Sequence, residues 1–281
     1  MAPTETTFPE SSPEGISVTL DNGEVISGIT VVAFDLDGTL LDSMNEKANS
    51  FGRSAVEMFP ELKHTEGEDE EEYLQAIRNV YLETRGSGRR DQLVEIFNRR
   101  GLAPPETNQK ENWSNKFDEY NEIVLRNSPL FDGVTKLLKD LTDLGVKVII
   151  STAMTESEMV SAFIPARDAV GQIRKEGLDS KIHLLLGHIK DLEMDGKVVR
   201  PSREKGIGHI QTIADVLGIL DENGKPDTKK LKSQMMFVGD GEHDMIANEG
   251  CAVLVRIADG EKEGLENIRL SQISKLLERI S

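Results

Sequence analysis

The stretch TVVAFDLDGT, residues 30–39, joins a short apolar run to two aspartates separated by a single residue. Apolar runs of this length without polar alternation are typical of strands that are covered on both faces in a parallel sheet. In open α/β sheets, ligands bind at the carboxyl ends of such strands. We therefore expect Asp35 and Asp37 to lie at a ligand site. Gly38 permits the tight turn that follows, and Thr39 offers a hydroxyl and an amide close by.

Four further apolar runs are predicted strands: residues 146–150, 182–186, 235–238 and 252–257. Helical patterns separate most of these runs, including residues 131–144 and 204–217, which place apolar residues on one face. Strands that alternate with helices in this way predict a doubly wound α/β fold, with a mainly parallel, Rossmann-like sheet. Two β-prone runs within residues 16–30 flank Asn22 and Gly23, a turn signal. We predict a hairpin there, added to an edge of the main sheet.

The segment between the first and second predicted strands is much longer than a crossover requires. A simple parallel crossover needs about a dozen residues, whereas residues 44–128 contain only helical patterns, clearest over residues 70–84 and 91–99. The excess predicts an inserted, all-helical cap subdomain. The expected organisation is a disordered tail over residues 1–15, an α/β core domain over residues 16–43 and 129–281, and a cap over residues 44–128.

Composition restricts the classes of function. Acidic residues outnumber basic ones by 50 to 33, and the net charge of -17 would repel nucleic acid and anionic membranes. We expect no nucleic-acid or membrane partner. Cys251 is the only cysteine, which excludes an intramolecular disulfide and is compatible with a reducing compartment. Because no targeting or membrane-spanning segment is visible, we expect a cytoplasmic location.

A second acidic motif repeats the pattern of the first. The stretch FVGDGEHD, residues 237–244, again delivers acids at the end of an apolar run. Asp240 and Asp244 lie four residues apart and share a face if a helix begins near Gly241. Taken alone, this spacing is more often an ordinary strand-to-helix turn. Together with Asp35 and Asp37, it predicts a Mg²⁺ site, because this ion binds a few carboxylate oxygens and completes its shell with water and phosphate.

These motifs resemble those of the haloacid dehalogenase superfamily, in its phosphatase branch, with a layout similar to phosphoglycolate phosphatase and its relatives. The resemblance covers roughly residues 30–43 and 129–257. It implies that Asp35 is the nucleophile and Asp37 the acid/base. Both also join the implied metal site, together with Asp240 and Asp244.

The resemblance also implies the groups that bind the substrate phosphate. Residues 148–151 match a strand that ends in a phosphate-binding hydroxyl, Ser151, and Thr152 is an alternative one place away. Thr39 is a further candidate. Lys205 matches the lysine that stabilises the nucleophile and the phosphoryl group. It opens a predicted helix that leads to residues 217–219 at a distance similar to that in the family, which favours it over Lys197 and Arg203.

The implied function is a Mg²⁺-dependent phosphatase that hydrolyses a small phosphorylated metabolite through an aspartyl-phosphate. A phosphosugar mutase or a phosphonate hydrolase on the same scaffold is the enzymatic alternative, and a non-catalytic binding module that retains the fold is the alternative from another class. A mutase or phosphonate hydrolase would need cap residues that the sequence does not identify. The complete set of Asp35, Asp37, Lys205 and Asp240 argues against a loss of activity.

Some residues allow two interpretations. The cap arginines Arg85, Arg89 and Arg90 could grip a substrate anion or, as we favour, pair with neighbouring acids. The segment 191–200 predicts a small hairpin that could line the entrance to the site. His183, His188 and His209 have no ligand spacing among them, and we expect them to be structural.

Overall fold

The computed structural model describes residues 15–20, 22–63, 69–84, 88–155, 184–188, 192–194, 197–199, 207–241, 248–257, 266–268 and 280. The strands are β1 (Ile16–Thr19), β2 (Val25–Ile29), β3 (Val31–Phe34), β4 (Lys147–Thr155), β5 (Leu184–His188), β6 (Leu192–Met194), β7 (Lys197–Val199), β8 (Met235–Gly239), β9 (Val253–Ile257) and β10 (Glu266–Ile268). The helices are α1 (Met44–Met58), α2 (Glu70–Glu83), α3 (Arg89–Arg99), α4 (Thr107–Asn127), α5 (Val134–Asp143), α6 (Ile207–Val216) and α7 (Thr228–Lys232), with a 3₁₀ turn at Pro60–Lys63.

The main sheet has six parallel strands in the order β10-β9-β8-β3-β4-β5. β3 lies inside the sheet, and Phe34 is in register with Ile150 of β4 on one side and Val238 of β8 on the other. The five predicted strands are all present, and the doubly wound parallel fold is confirmed. β10 was not predicted, because three residues around Asn267 carry little strand signal.

The sheet is buried on both faces. Val32 and Phe34 of β3 pack into a core that includes Leu137 and Leu141 of α5. Val31 and Ala33, which point the opposite way along the same strand, pack into a second core that includes Ile210 and Ile213 of α6. This two-sided burial explains why β3 shows an uninterrupted apolar run in place of an alternating pattern.

The N-terminal hairpin is present, but its predicted position was wrong. β1 and β2 pair antiparallel as a separate two-stranded sheet, and Ile16, Val18 and Ile29 pack into the α5-side core. A single residue, Thr30, separates β2 from β3. Since one residue spans at most about 3.6 Å and neighbouring strands lie about 4.8 Å apart, the hairpin cannot reach an edge from an internal strand.

The helical insertion is confirmed, because α1–α4 follow β3 and precede β4. These helices surround a hydrophobic core of their own. Phe51 lies at its centre, with ring centroids 5.0 Å from Trp113, 5.6 Å from Phe117 and 4.8 Å from Tyr81. The Trp113 indole donates a hydrogen bond of 3.2 Å to the Ser54 hydroxyl, which satisfies its buried N–H.

A second hairpin lies after β5. β6 and β7 pair antiparallel, which confirms the predicted hairpin at residues 191–200, although its turn lies outside the described residues. Within the parts of the chain that the structure describes, no helix has the length and apolar character needed to cross a bilayer. The predicted tail, residues 1–15, lies outside the described residues except for Gly15.

Candidate active site

Asp35 and Asp240 follow neighbouring strands at the same edge of the sheet. Asp35 comes directly after β3, and its backbone N–H donates a hydrogen bond of 2.9 Å to the carbonyl of Val238 in β8. Asp240 comes directly after β8. Both aspartates are buried, with 5% and 6% of their surface exposed. The parallel pairing of β3 with β8 therefore brings together two carboxylates that are far apart in sequence.

The turn after β3 lies against the Asp240 carboxylate. Gly38 has a φ of 74°, which L-residues with side chains rarely adopt. A Cβ atom at this position would lie 2.7 Å from Asp240 Oδ2 and 2.8 Å from Cγ of Met44 in α1. Glycine is therefore required twice, for the backbone conformation and for the space. This contact shows directly that the first acidic motif and Asp240 converge.

Asp37 has a different environment from the other two acids. Ser43 Oγ donates a hydrogen bond of 2.6 Å to Asp37 Oδ1, and the ammonium of Lys47 in α1 forms an ion pair with Oδ2. The side chain of Asp37 is 18% exposed and that of Lys47 is 6% exposed. The carboxylate is thus held by two donors from the start of the insertion and keeps some access to solvent.

The chain enters and leaves the insertion side by side. Leu41 forms a β-bridge with Leu130, the Asp42 N–H donates to the Pro129 carbonyl at 2.9 Å, and the Phe131 N–H donates to the Leu40 carbonyl at 3.0 Å. These hydrogen bonds anchor the connection directly beside the acidic turn. Movement of the insertion relative to the sheet would consequently displace Ser43 and Lys47, the two donors to Asp37.

Three hydroxyl groups are buried near this edge of the sheet. Thr39 is fully buried, and its hydroxyl has no hydrogen-bond partner in the described part of the chain. Ser151 Oγ shares a hydrogen bond of 2.7 Å with Nδ1 of His209 in α6, and both side chains are buried. Thr152, the next residue in β4, is also buried. Thr39 lies in the turn after β3, and Ser151 and Thr152 lie within the neighbouring strand β4, which continues to Thr155 beyond the predicted strand end.

Several predicted residues lie outside the described residues: Arg85, Lys205 and Asp244. The other two cap arginines pair with acids within the insertion. Arg89 forms an ion pair with Asp118 and lies 5.1 Å from the Phe117 ring centre, and Arg90 lies 3.4 Å from Glu111. For Arg89 and Arg90, the structure favours pairing with acids over contact with a substrate.

The described residues alone contain no group of three or more His, Cys, Asp or Glu side chains arranged to hold a metal ion. Within this part of the chain, the Asp37 carboxylate is engaged by Ser43 and Lys47. Asp35 and Asp240, both buried and each following one of two paired strands, are donors that fit Mg²⁺, since this ion is usually bound by one or two carboxylates and completes its shell with water and substrate phosphate.

Ser43 and Lys47 were not predicted as site residues, and His209 was predicted to be structural. The only local signal for the first two was their spacing of four residues at the start of a predicted helix, which places them on one face. Many surface lysines have the same spacing from a serine. The contact between His209 and Ser151 joins residues 58 positions apart and has no local signal at all.

Comparison with known proteins identifies the family of the chain. Residues 29–199, more than half of the chain, match the family of haloacid dehalogenase-like hydrolases. The chain belongs to this family. No curated protein matches its sequence.

Solved structures show the same fold for this hydrolase. A predicted phosphoglycolate phosphatase from Haemophilus somnus 129pt superimposes with a TM-score of 0.57 at 17% identity, covering 89% of this chain and 97% of the other. A haloacid dehalogenase-like hydrolase from Bacteroides fragilis gives 0.54 at 16% identity, covering 88% and 99%. CbbY from Rhodobacter sphaeroides, in complex with phosphate, gives 0.52 at 15% identity, covering 88% and 96%. Identities this low support the shared fold alone.

Proposed function

We propose that this hydrolase is a Mg²⁺-dependent phosphatase that cleaves the phosphate ester of a small metabolite through an aspartyl-phosphate on Asp35. The observation that carries the proposal is the convergence of the two acidic motifs: Asp35 and Asp240 are buried after the paired strands β3 and β8, and Gly38 lies against the Asp240 carboxylate. Asp37, two residues from Asp35, is held separately and keeps access to solvent. A nucleophile and an acid/base need this division of environments.

The reaction divides into two displacements at phosphorus. In the first, a carboxylate oxygen of Asp35 bonds to phosphorus, the ester P–O bond breaks, and Asp37 donates its proton to the leaving alkoxide. In the second, Asp37 takes a proton from water as the water oxygen bonds to phosphorus and the bond to Asp35 breaks. Inorganic phosphate leaves, and both aspartates return to their starting states. Covalent catalysis of this kind replaces one difficult step by two easier ones.

Charge at the phosphoryl group must be offset, because the chain carries a net charge of -17. Asp35 and Asp240, with Asp244 as a further predicted ligand, would hold Mg²⁺. Asp37 was also predicted as a ligand, but we assign it the acid/base role alone, because Ser43 and Lys47 engage its carboxylate. When bound, the ion supplies positive charge close to the phosphoryl oxygens. The predicted role of Lys205 is to add a second positive charge. Thr39, with Ser151 or Thr152, would donate hydrogen bonds. The buried Thr39 hydroxyl, which has no partner among the described residues, is suited to this.

The substrate class follows from charge and size. A strongly acidic chain disfavours nucleic acid and anionic membranes, so a small soluble phosphate ester is the substrate proposed. The insertion, with predicted bounds 44–128, would cover the site and select among such esters while excluding water. The phosphate bound by CbbY, a protein of the same fold, is consistent with this chemistry.

The test is a panel of phosphorylated metabolites assayed for phosphate release with Mg²⁺ or with a chelator. We expect turnover that requires Mg²⁺ and that Asp35→Asn abolishes without loss of fold. Asp140→Asn is the matched control. Asp140 lies near the end of α5, which leads to the amino-terminal end of β4 and so away from the carboxyl ends of the strands. It pairs with Lys136 on the surface. Undiminished turnover by Asp35→Asn would contradict the assignment of the nucleophile.

The same panel separates the alternatives. Isomerisation of a sugar phosphate without phosphate release would identify a mutase, and release from a phosphonate but not from esters would identify a phosphonate hydrolase. Binding of phosphate esters without any turnover would identify a binding module.

A further inference from the structure

We propose that Lys47 is a positioning residue for Asp37, holding the carboxylate in the orientation from which it transfers protons. The inference rests on the proposed function, since it assigns Lys47 a part in the reaction in which Asp37 is the acid/base. Lys47 acts through Asp37 and is not proposed to touch the substrate.

Lys47 is unusually well buried for a lysine on a helix. Such side chains usually keep their ammonium group in water, yet the side chain of Lys47 is only 6% exposed. Transfer of an ammonium group out of water is costly unless it is paired and hydrogen-bonded. The ion pair with Asp37 offsets that cost. The steps proposed above give no role to Lys47, and its burial against the acid/base indicates that it has one.

The two donors bind different oxygens of the Asp37 carboxylate. Ser43 donates to Oδ1 and Lys47 to Oδ2, so each oxygen has its own donor. Rotation of the carboxylate about its Cβ–Cγ bond would break both hydrogen bonds. Each carboxylate oxygen can accept two hydrogen bonds, so these two donors restrict the orientation of the carboxylate without using its full capacity as an acceptor.

Both donors come from the first turn of α1. The Lys47 N–H donates to the Ser43 carbonyl at 2.9 Å, so both residues lie on one face of this turn. Ser43 is the N-cap residue of α1 and makes no side-chain cap hydrogen bond, but its hydroxyl donates to Asp37. Further along α1, Phe51 belongs to the core of the insertion. Asp37 is thus oriented by the insertion, whereas Asp35 and Asp240 follow strands of the sheet.

This arrangement predicts an effect that depends on the leaving group. An alkyl phosphate releases a strongly basic alkoxide and needs the proton of Asp37, whereas p-nitrophenyl phosphate releases a stable anion and needs it much less. We expect Lys47→Met to lower kcat/KM about 10- to 100-fold on the best alkyl phosphate of the panel and less than about threefold on p-nitrophenyl phosphate. General damage to the fold would lower both rates equally.

The matched control is Lys116→Met, which removes a lysine from an exposed ion-pair network with Glu57 and Glu119 in the same insertion. It should leave both rates within about twofold, because exposed ion pairs contribute little. Lys47→Gln keeps a hydrogen-bond donor and should retain more alkyl phosphatase activity than Lys47→Met. Circular dichroism checks the fold, and Ser43→Ala, which removes the other donor, provides the same test if Lys47→Met does not fold.

A double-mutant comparison decides whether Lys47 acts through Asp37. Once Asp37→Asn has removed the acid/base, adding Lys47→Met should lower the alkyl phosphatase rate by less than about twofold. A full further loss in that background, or equal losses on both substrates in the single variant, would overturn the role of Lys47 and leave the proposed function standing. Wild-type rates in Asp35→Asn would reject the proposed function and, with it, the role of Lys47.

Discussion

Substitution of Gly38 by alanine tests the convergence of the two acidic motifs directly. Two separate penalties are expected. A φ of 74° imposes backbone strain of about 1 to 2 kcal/mol on an L-residue. In addition, the new methyl group would lie 2.7 Å from Asp240 Oδ2, much closer than carbon and oxygen atoms approach without a bond, so the Asp240 carboxylate or the turn must move by several tenths of an ångström.

Comparison with Gly224→Ala separates the steric penalty from the backbone strain, because Gly224→Ala should suffer the strain alone. Gly224 has the same φ of 74°, but a Cβ there would meet nothing within 4 Å. Both variants should therefore lose about 1 to 2 kcal/mol of unfolding free energy from the backbone. Only Gly38→Ala should also lose activity, by about 10- to 100-fold, because displacements approaching 1 Å in a catalytic site have effects of this size.

The measurements are urea unfolding for both variants and phosphate release as a function of Mg²⁺ concentration. Gly38→Ala should need more Mg²⁺ for half-maximal activity, because displacement of Asp240 would weaken a predicted metal ligand. Equal stability losses with unchanged activity and unchanged Mg²⁺ dependence in Gly38→Ala would refute the placement of Asp240 against the turn.

Further predictions concern burial and ionisation. Thr39→Val should raise the unfolding free energy by about 1 kcal/mol, because it removes a buried hydroxyl that has no partner in the described part of the chain. It should also lower kcat/KM, because a donor to the phosphoryl group is lost; a variant that is stabilised and fully active would exclude that role. Phe51→Ala should cost about 3 to 5 kcal/mol in urea unfolding, since Phe51 is fully buried among three aromatic rings. Burial raises the pKa of the Cys251 thiol to about 11, so alkylation by iodoacetamide in the folded protein should reach half its maximal rate near pH 11, against about pH 8.5 in urea. The same raised pKa stabilises the fold at neutral pH and loses that contribution as the pH rises from about 8.5 toward 11; equal alkylation profiles in the folded and unfolded protein would contradict the burial of the thiol.

The strands and the order of the acidic motifs could be predicted because their signals are local. Residues 31–34 and 235–239 are apolar throughout, since a strand buried on both faces needs no polar face. Parallel strands in one sheet share a carboxyl edge, so Asp35 and Asp240 were expected to meet before any contact was known. The helical insertion was likewise evident from the length of the segment between two strands.

Contacts made by side chains at the junction of sheet and insertion could not be predicted. A lysine four residues after a serine is ordinary on a helix surface, and only the position of α1 over the turn buries Lys47 against Asp37. The same holds for the hydrogen bond between Ser151 and His209 and for the pairing of Arg89 with Asp118. These contacts join residues on different elements, and their partners depend on how those elements pack.

The N-terminal hairpin shows the same division within the fold. Its two strands and turn are determined by short-range preferences around Asn22 and Gly23, and residues 16–29 form the expected pair. Its position depends on the place of β3 inside the sheet, which is decided by long-range pairing with β4 and β8. The sequence by itself thus determined which residues form strands, helices and acidic turns. Only the tertiary structure decided which side chains meet, because burial and pairing across elements are properties of the packed chain.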